Sequence, residues 1–407
     1  MKNVLIINHF AGAPNINERS LRHYLLADYL NSKGNNCIII SSKDSYQSST
    51  KNNFQNNKTT IIKNVKYIFV KERVFKRNNL FIKFLRMTSF SFNLLKSYIF
   101  GRLDVKKIDI VISSSPDLFT SLVSYYISKR SNSKFILEIR DIWPLSQVIH
   151  HKFSKKHPII IILKMIERFL HKRANCVVSP LNNYHKYLEE NNFKINYFYC
   201  PQIYNEYEKK SKLEIKIPYD RFDKIGIYAG SVGSLYYVEN IVKHFPKNLR
   251  SNIGIIIIGD GDRWDYLNTL IKQKNIKNIF LLKSVKKELL INYYEISDFA
   301  ISIHPDEPEL YKYGLCPLKT LDYMYNSLPV LFLGDKSYLK SSYSNGLIQT
   351  NFNDKISFQN SINDIASFSK GELEMLGKEN FNISNKLNNP NLLYDTYEKI
   401  INEKTIL

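Results

Sequence analysis

The sequence predicts an α/β protein of two Rossmann-like, doubly wound domains facing each other across a cleft. Three observations carry that reading. A chain of 407 residues exceeds one ordinary core and fits two domains of about 200 residues each. Short apolar runs alternate with segments of helical period, the order that builds a parallel sheet with helices on both faces. The alternation stops at a polar, strand-poor stretch, Pro201 to Pro218, and then begins again. The expected plan is a first domain over 1–200, a linker over 201–222, a second domain over 223–385, and a terminal helix over 386–407 packing back towards the first domain.

Val4 to Asn8 reads as the opening strand, followed by a turn containing Gly12. A helix is predicted from about Glu18 to Lys33, ending at Gly34, a good left-handed cap. Cys37 to Ser41 is the next strand. Ser42 to Thr60 is rich in Asn, Ser and Lys and reads as a mobile surface loop. Two short β runs follow, Thr60 to Lys63 and Tyr67 to Val70. Asn79 to Gly101 is aromatic, aliphatic and basic together, which suits a core-facing helix or a basic amphipathic surface resting on anionic lipid. Ile108 to Ser114, Lys134 to Ile139, Cys176 to Ser179 and Asn196 to Cys200 supply further strands, with helices over Pro116 to Lys129 and up to Asn191. A second basic apolar segment, Pro158 to Arg173, lies between them.

Lys224 to Gly230 restarts the pattern, followed by strands at Ile253 to Ile258, Asn278 to Leu282 and Phe299 to Ile303. A helix is expected over Lys286 to Ile296. The last of these strands leads into His304 to Val330, where Pro317 suits the first turn of a helix because its missing N–H would be unbonded there anyway. Thr320, Leu321 and Met324 are placed to face the sheet. Asn345 to Thr350 closes the second sheet, helical patterns fill Ser357 to Asn385, and a final helix runs from Asn391 to Asn402.

Composition sets the outer limits. Hydrophobic residues at 44% and charged ones at 23% are ordinary for a globular protein, but 58 Lys and Arg against 37 Asp and Glu leave a net charge of +21. That excess fits compositional drift or an anionic partner. No recognised nucleic-acid module accompanies it, so nucleic acid is not an expected partner. Four scattered Cys (Cys37, Cys176, Cys200, Cys316) have no metal-ligand spacing and read as buried thiols of a reducing compartment. The amino-terminal apolar run is shorter than a secretory signal needs, and no run reaches the roughly 18 apolar residues of a membrane span. The expected location is cytoplasmic, with the inner face of the membrane as a peripheral site.

The strongest site candidate is the helix after Pro317, because a helix amino end at the carboxyl edge of a parallel sheet is an anion site. Lys319 adds positive charge there, and Asp322 an acceptor suited to ribose hydroxyls. Gly230, Ser231 and Gly233 can bring backbone N–H groups close to a diphosphate. Asp260-Gly261-Asp262 has the form of a metal site on a nucleotide-sugar, but two carboxylates without a third ligand bind magnesium poorly. The same stretch, from Gly259, serves as a turn that admits a base or ribose, with Arg263 for the diphosphate. No metal or other cofactor is expected. Arg140 and Asp141 end a strand in an aromatic-Pro loop, either as an internal ion pair or with Asp141 receiving an acceptor hydroxyl. His9, at the end of the first strand, suits a structural role or catalysis. Protease, kinase and hydrolase signatures are absent.

Taken in order, these residues resemble the bacterial glycosyltransferases of family four, of the GT-B fold, especially those building O-antigen and capsule. The resemblance rests on Arg22-x-Tyr24-x-x-Ala27-x-x-Leu30-x-x-x-Gly34, Arg140-Asp141-Ile142-Trp143-Pro144 and Val177-Val178-Ser179-Pro180 in the first domain. In the second it rests on Tyr228-Ala229-Gly230-Ser231, Ile258-Gly259-Asp260-Gly261 and Tyr313-Gly314-x-x-Pro317-x-Lys319-x-x-Asp322-Tyr323-Met324. It implies a retaining transfer from a nucleotide-diphosphate sugar held mainly by the second domain. Donor contacts would come from Gly230, Ser231, Gly233, Gly259, Asp260 and Gly261, and from Arg263, Gly314, Pro317, Lys319 and Asp322. His9, Gly12, Arg22, Arg140 and Asp141 would lie on the acceptor side, with Asp141 and Lys319 as the catalytic pair. The family's paired acids are Glu, seven residues, Glu. The second falls on Asp322, whereas the first falls on Gly314. The basic pair that usually follows the first strand of the second domain is also absent, leaving Lys319 and Arg263 to hold the phosphates. The implied acceptor is a saccharide, or one linked to polyprenyl diphosphate at the inner membrane face. The departing phosphate oxygen would take the proton from the attacking hydroxyl, so no protein nucleophile is needed.

Two other classes share parts of this pattern. A sugar-nucleotide epimerase has the same two-sheet architecture and needs no acceptor. A non-catalytic saccharide- or nucleic-acid-binding protein would account for the charge alone.

Overall fold

The computed structural model describes residues 1–14, 16, 21–43, 55–73, 80–105, 107–204, 214–246, 252–340, 343, 346–351 and 353–403. They form two compact units, Met1–Asn205 with Pro390–Leu407, and Glu206–Asn389. The division falls inside the predicted linker, and the chain re-enters the first unit at Pro390.

The first unit begins with β1 (Asn3–Ile7), α1 (Arg22–Ser32), β2 (Asn36–Ser42), β3 (Thr59–Ile62), β4 (Val65–Val70) and α2 (Leu80–Ile99). It continues with β5 (Ile110–Ser114), α3 (Leu118–Arg130), β6 (Lys134–Glu138), α4 (Leu145–His150), α5 (Pro158–Arg173), β7 (Cys176–Ser179), α6 (Tyr184–Glu190) and β8 (Tyr197–Tyr199). Strand order in the sheet is β3-β4-β2-β1-β5-β6-β7-β8. All neighbours are parallel except β3, an antiparallel edge on β4. The chain winds outward from β1 through β2, then returns to β5 on the other side, so the switch of direction lies between β1 and β5.

The predicted helix from Glu18 starts later, at Arg22, and residues 17–20 lie outside the described set, as do 44–54 of the predicted loop and 205–213 of the linker. The short helix α4 was not anticipated, since six residues after Trp143-Pro144 carry too little periodicity to register. Helix α2 divides its sides. Arg86, Met87, Phe90 and Leu94 are buried, while Phe92 and Ile99 face solvent.

The second unit holds β9 (Lys224–Ala229), α7 (Glu239–His244), β10 (Ile253–Ile258), α8 (Trp264–Gln273), β11 (Ile279–Leu282), α9 (Lys287–Glu295) and β12 (Phe299–Ile303). Then come α10 (Pro308–Tyr311), α11 (Leu318–Tyr325), β13 (Val330–Leu333), β14 (Leu347–Thr350), α12 (Lys355–Ser367) and α13 (Lys370–Leu387). The sheet order β11-β10-β9-β12-β13-β14 is parallel throughout, with its switch between β9 and β12. Every residue of β9, β10, β12 and β13 is buried, as expected of strands covered on both faces. Asp354 caps α12, and Ser369 with Glu372 forms a capping box on α13.

The last helix, α14 (Pro390–Asn402), belongs to the first unit, where Leu393, Tyr397, Ile400 and Ile401 join the core beneath β1 and β2. A buried charge cluster holds it there. Glu138, at the end of β6, accepts from Arg22 Nε (2.8 Å), from His23 Nε2 (2.7 Å) and from the Tyr397 hydroxyl (3.0 Å). Arg22 also donates to the carbonyls of Pro201 (2.6 Å) and Cys200 (3.3 Å). The Asn8 amide lies 3.1 Å from His23 Nδ1, which leaves Nε2–H for Glu138. Burial pulls the His23 pKa down, in keeping with a neutral ring. For Glu138 burial works against ionisation, but the charge of Arg22 and the hydrogen bond from His23 outweigh it and hold the carboxyl well below its ordinary range. Removing one partner of a fully buried ion pair strands the other charge. Arg22→Met is therefore expected to destabilise the first unit by about 3–5 kcal/mol, read as an earlier urea transition for that unit with the transition of residues 206–389 unchanged.

Candidate active site

In the second unit, the loops leaving β9, β10, β11 and β12 gather at the carboxyl edge of the sheet around the β9/β12 switch, where α/β sheets bind ligands. Two of them lie backbone against backbone. Val232 N–H donates to Asp260 O (3.0 Å), and Arg263 N–H to Val232 O (3.1 Å). A Cβ on Gly259 would lie 1.9 Å from Gly230 O, and one on Gly261 2.3 Å from Val232 O. Only glycine permits that approach. Gly230, Ser231, Gly233, Gly259 and Gly261 are thus brought together as one floor.

Lys319 stands over this floor. It occupies the first turn of α11, with Pro317 at the N-cap. Its Nζ donates to the Tyr228 hydroxyl (2.9 Å), which in turn donates to Ser231 O (2.8 Å). The ammonium lies 4.6 Å from the Tyr228 ring centroid and 4.5 Å from that of Tyr236. A Cβ on Gly230 would meet Lys319 Cδ at 2.5 Å. The side chain keeps some solvent contact, yet burial pushes its pKa down to about 8. Among the described residues no carboxylate pairs with it. Tyr323, on the same helix, accepts from Ala229 N–H (2.7 Å) and donates to Ala229 O (3.2 Å), fixing α11 against the end of β9.

Asp322 is not beside Lys319 in function. Its Oδ2 accepts from Lys287 Nζ (2.6 Å), at the start of α9. The ribose acceptor expected from sequence therefore comes as an ion pair. Neither Tyr236 nor Lys287 was singled out from sequence, and Tyr228 entered only as part of a strand motif, with no site role. The two rings flank Lys319 through folding alone, and Lys287 sits in an ordinary lysine-rich turn. His304 was likewise passed over. It ends β12, with Nε2 2.9 Å from Ser302 Oγ, which lies 2.7 Å from Thr320 Oγ1. Burial first, and the charge of Lys319 second, push its pKa down to about 3, so the ring is neutral at physiological pH.

The remaining donor-side candidates have local partners. Asp260 accepts from Gly261 N–H (2.9 Å) and pairs with Lys283 (3.3 Å), both side chains being 58% exposed. Lys283 lies 3.7 Å over the Trp264 ring. Asp262 accepts from Ser234 N–H (3.2 Å). The guanidinium of Arg263 lies over Tyr266, at 5.5 Å, and not over the glycine floor. Among the described residues no group of three His, Cys, Asp or Glu could hold a metal ion.

Gly314 has φ +113°, a conformation that side-chain-bearing residues rarely adopt. The place of the family's first Glu is thus built for glycine by the backbone itself.

In the first unit the structure moves several acceptor-side candidates into the interior. His9 is 1% exposed and sandwiched between Phe10 and Phe90, with centroids at 4.2 and 4.4 Å. Its Nδ1 meets Asp117 Oδ2 (3.0 Å), its Nε2 meets Glu72, and Glu72 is paired in turn with Arg86. Burial acts to lower the imidazole pKa, but the hydrogen bonds and charges of Asp117 and Glu72 prevail and raise it. Arg22 is spent on Glu138, and Gly12 is buried, its carbonyl accepting from the Tyr67 hydroxyl (2.9 Å). These three serve the packing of the unit because no face of them meets solvent. Arg140 and Asp141 stay partly exposed, their N–H groups both donating to Ser115 Oγ (2.8 and 3.2 Å). Asp141 Oδ2 accepts from the Trp143 indole (2.8 Å), and burial raises its pKa against the opposing influence of His150.

The backbone at Gly314 yields a direct test. Gly314→Ala is expected to lower the stability of the second unit by roughly 1–3 kcal/mol, read by urea denaturation, and Gly314→Glu to behave no better.

A family model described as "Glycosyl transferases group 1" matches residues 211–367. A search of curated proteins by sequence finds no match. Among solved structures, sucrose-phosphate synthase from Thermosynechococcus elongatus aligns at a TM-score of 0.73 with 13% identity, covering 98% of each chain. HepE from Anabaena in complex with UDP-glucose aligns at 0.65 with 8% identity, covering 98% of this chain and 99% of its own. The catalytic domain of starch synthase IV from Arabidopsis thaliana, bound to ADP and acarbose, aligns at 0.62 with 10% identity over 98% and 99%. At such identities the likeness speaks for the fold, and the family match speaks for the second unit. Two parallel-sheet, Rossmann-like domains of GT-B type, the second matching a group 1 glycosyl transferase domain, make this protein a glycosyltransferase.

Proposed function

We propose that this enzyme transfers a sugar, with retention of anomeric configuration, from a nucleotide-diphosphate sugar to a saccharide acceptor in surface polysaccharide assembly. The observation that carries the donor half is Lys319. A largely buried ammonium held between two tyrosine rings, with no carboxylate paired to it among the described residues, lacks the counter-charge that burial ordinarily demands. A diphosphate over the glycine floor would supply that charge. Structures of the same fold hold UDP-glucose and ADP, which supports a nucleotide donor.

On this reading the diphosphate lies against backbone N–H groups at 230–233 and the amino end of α11, with Lys319 neutralising the leaving charge. Asp322, three residues along α11 from Lys319 and paired with Lys287, accepts from the ribose hydroxyls on this reading. Asp260 and Asp262 are engaged within their own loops, so phosphate charge is met by lysine and backbone, with no metal ion taking part. The acceptor hydroxyl attacks from the leaving-group side and gives its proton to the departing phosphate oxygen. In the first unit, Asp141, partly exposed and with its pKa raised by burial, is the carboxylate offered to an acceptor hydroxyl. The acceptor is a saccharide linked to polyprenyl diphosphate, the enzyme working in the cytoplasm at the inner membrane face. The resemblance to O-antigen and capsule enzymes supports this half.

Two measurements test it. A thermal-shift screen across nucleotide-diphosphate sugars should find a stabilising donor, since a ligand of the native state raises stability by mass action. Lys319→Ala should then lower turnover at least about tenfold with folding intact, a charge-assisted contact contributing roughly 1.5–3 kcal/mol. Wild-type turnover in that variant would remove the lysine from the mechanism, and conversion of the nucleotide-sugar without acceptor would mean an epimerase.

The pH dependence has a definite sign. Lys319 is charged below its pKa of about 8 and neutral above it, and a bound anion favours the charged form. Donor affinity should therefore hold below pH 8 and fall by up to about tenfold per unit above it, as titration calorimetry would read, while Lys319→Met removes that slope.

A further inference from the structure

We propose that His304 reads the sugar of the donor, its open ring nitrogen pairing with a hydroxyl of the group to be transferred. The residue would then decide which sugar is accepted. The inference rests on the donor reading given above and adds a residue to it.

His304 directly follows β12, at the carboxyl edge of the second sheet and beside the β9/β12 switch. Side chains two apart along a strand share a face, so the ring points the same way as Ser302, towards α11. Its Nε2 is held by Ser302 Oγ, which is held in turn by Thr320 Oγ1 in the first turn of that helix. Phe332 of β13 stacks on the ring, with centroids 4.9 Å apart and planes 20° apart. The chain of hydroxyls and the stack together fix the plane of an imidazole that is only 9% exposed.

The other nitrogen is left open. Nδ1 has no hydrogen-bond partner among the described residues, and it is not one of the sealed, unpartnered polar atoms of the interior, so it opens to the surface. Lys319, the residue before Thr320, is near enough for its charge to act on the ring. The open nitrogen thus belongs to the same site as the ammonium.

Hydrogen bonding selects the partner. If the hydroxyls of Thr320 and Ser302 donate towards the ring, Nδ1 carries the proton and donates; if the ring donates towards them, Nδ1 accepts. A sugar hydroxyl fits either tautomer because it both donates and accepts, whereas a phosphate oxygen fits only the first. The diphosphate already has Lys319, the ribose is assigned to Asp322, and Gly314 has no side chain to offer. His304 is the remaining polar group for a neutral ligand beside the diphosphate. A buried group built to pair with a substrate hydroxyl is stranded by an analogue that lacks it, which is how such a contact discriminates.

The test is titration calorimetry of the full chain with UDP, ADP, GDP and dTDP, and with UDP-glucose, ADP-glucose, GDP-mannose and dTDP-glucose. The readout is the ratio of conjugate to diphosphate affinity, for the base that wild type binds most tightly. His304→Gln keeps a group near Nε2 for Ser302 but none at Nδ1, and His304→Phe keeps only the stack; each should lower that ratio at least about fivefold. His304→Asn keeps a group near Nδ1 and should hold the ratio within about twofold of wild type. Unchanged diphosphate affinity shows in each case that the second unit is folded. A ratio unmoved in all three variants overturns the proposal. A ratio lost in His304→Asn but kept in His304→Gln also overturns it, and leaves the ring as a brace for Ser302. A variant that loses diphosphate and conjugate equally, with its urea transition intact, assigns Nδ1 to phosphate instead. Failure of every nucleotide to bind wild type would remove the donor reading itself, and this inference with it.

Discussion

An ionised side chain taken out of water needs an opposite charge or well-placed dipoles, and the two units meet that constraint in different ways. The first unit closes its buried charges on themselves. Arg22 and Glu138, with His23 and Tyr397, join α1, β6 and α14. Arg86, Glu72, His9 and Asp117 tie α2 to the ends of β4, β1 and β5. The second unit leaves Lys319 with two aromatic faces and a hydroxyl, an arrangement that tolerates a cation without neutralising it. The first unit's buried charges are thus closed among themselves, whereas Lys319 has no carboxylate partner among the described residues.

That difference bears on how one architecture carries two tasks. Both sheets switch direction at a central pair of strands, and at both switches the loops leave the carboxyl edge together. In the second unit the switch is lined with glycines whose missing side chains let two loops touch. In the first it is filled by His9 between two phenylalanine rings. The same position in the winding thus holds two closely packed glycine loops in one case and an internal brace in the other. Arg140 and Asp141, by contrast, are held partly exposed by Ser115 and Trp143.

Position 314 is set by the backbone. With φ at +113°, the chain turns there in a way that favours glycine, and α11 begins four residues later with its Pro N-cap and lysine in place. Asp322, three residues beyond Lys319 on the same helix, is paired with Lys287.

Much of this was legible in the residues alone. Alternating apolar runs and helical periods determined two wound sheets, because a strand buried on both faces and a helix buried on one leave different, countable patterns. The break near Asn205, the helix after Pro317 and the glycines at 230, 259 and 261 were readable for the same local reason. Tertiary structure alone decided which charges meet. Arg22 and Glu138 lie 116 residues apart, Glu138 and Tyr397 259, and Lys319 and Tyr228 91. Nothing in local spacing links such pairs, so sequence left His9 open between structure and catalysis and offered Arg22 for an acceptor, whereas folding buries both, and it gave no site role to the two tyrosines that flank Lys319. Periodicity records how each element meets the core. Which side chains become neighbours is set only when distant strands pair and bring their ends to a common edge.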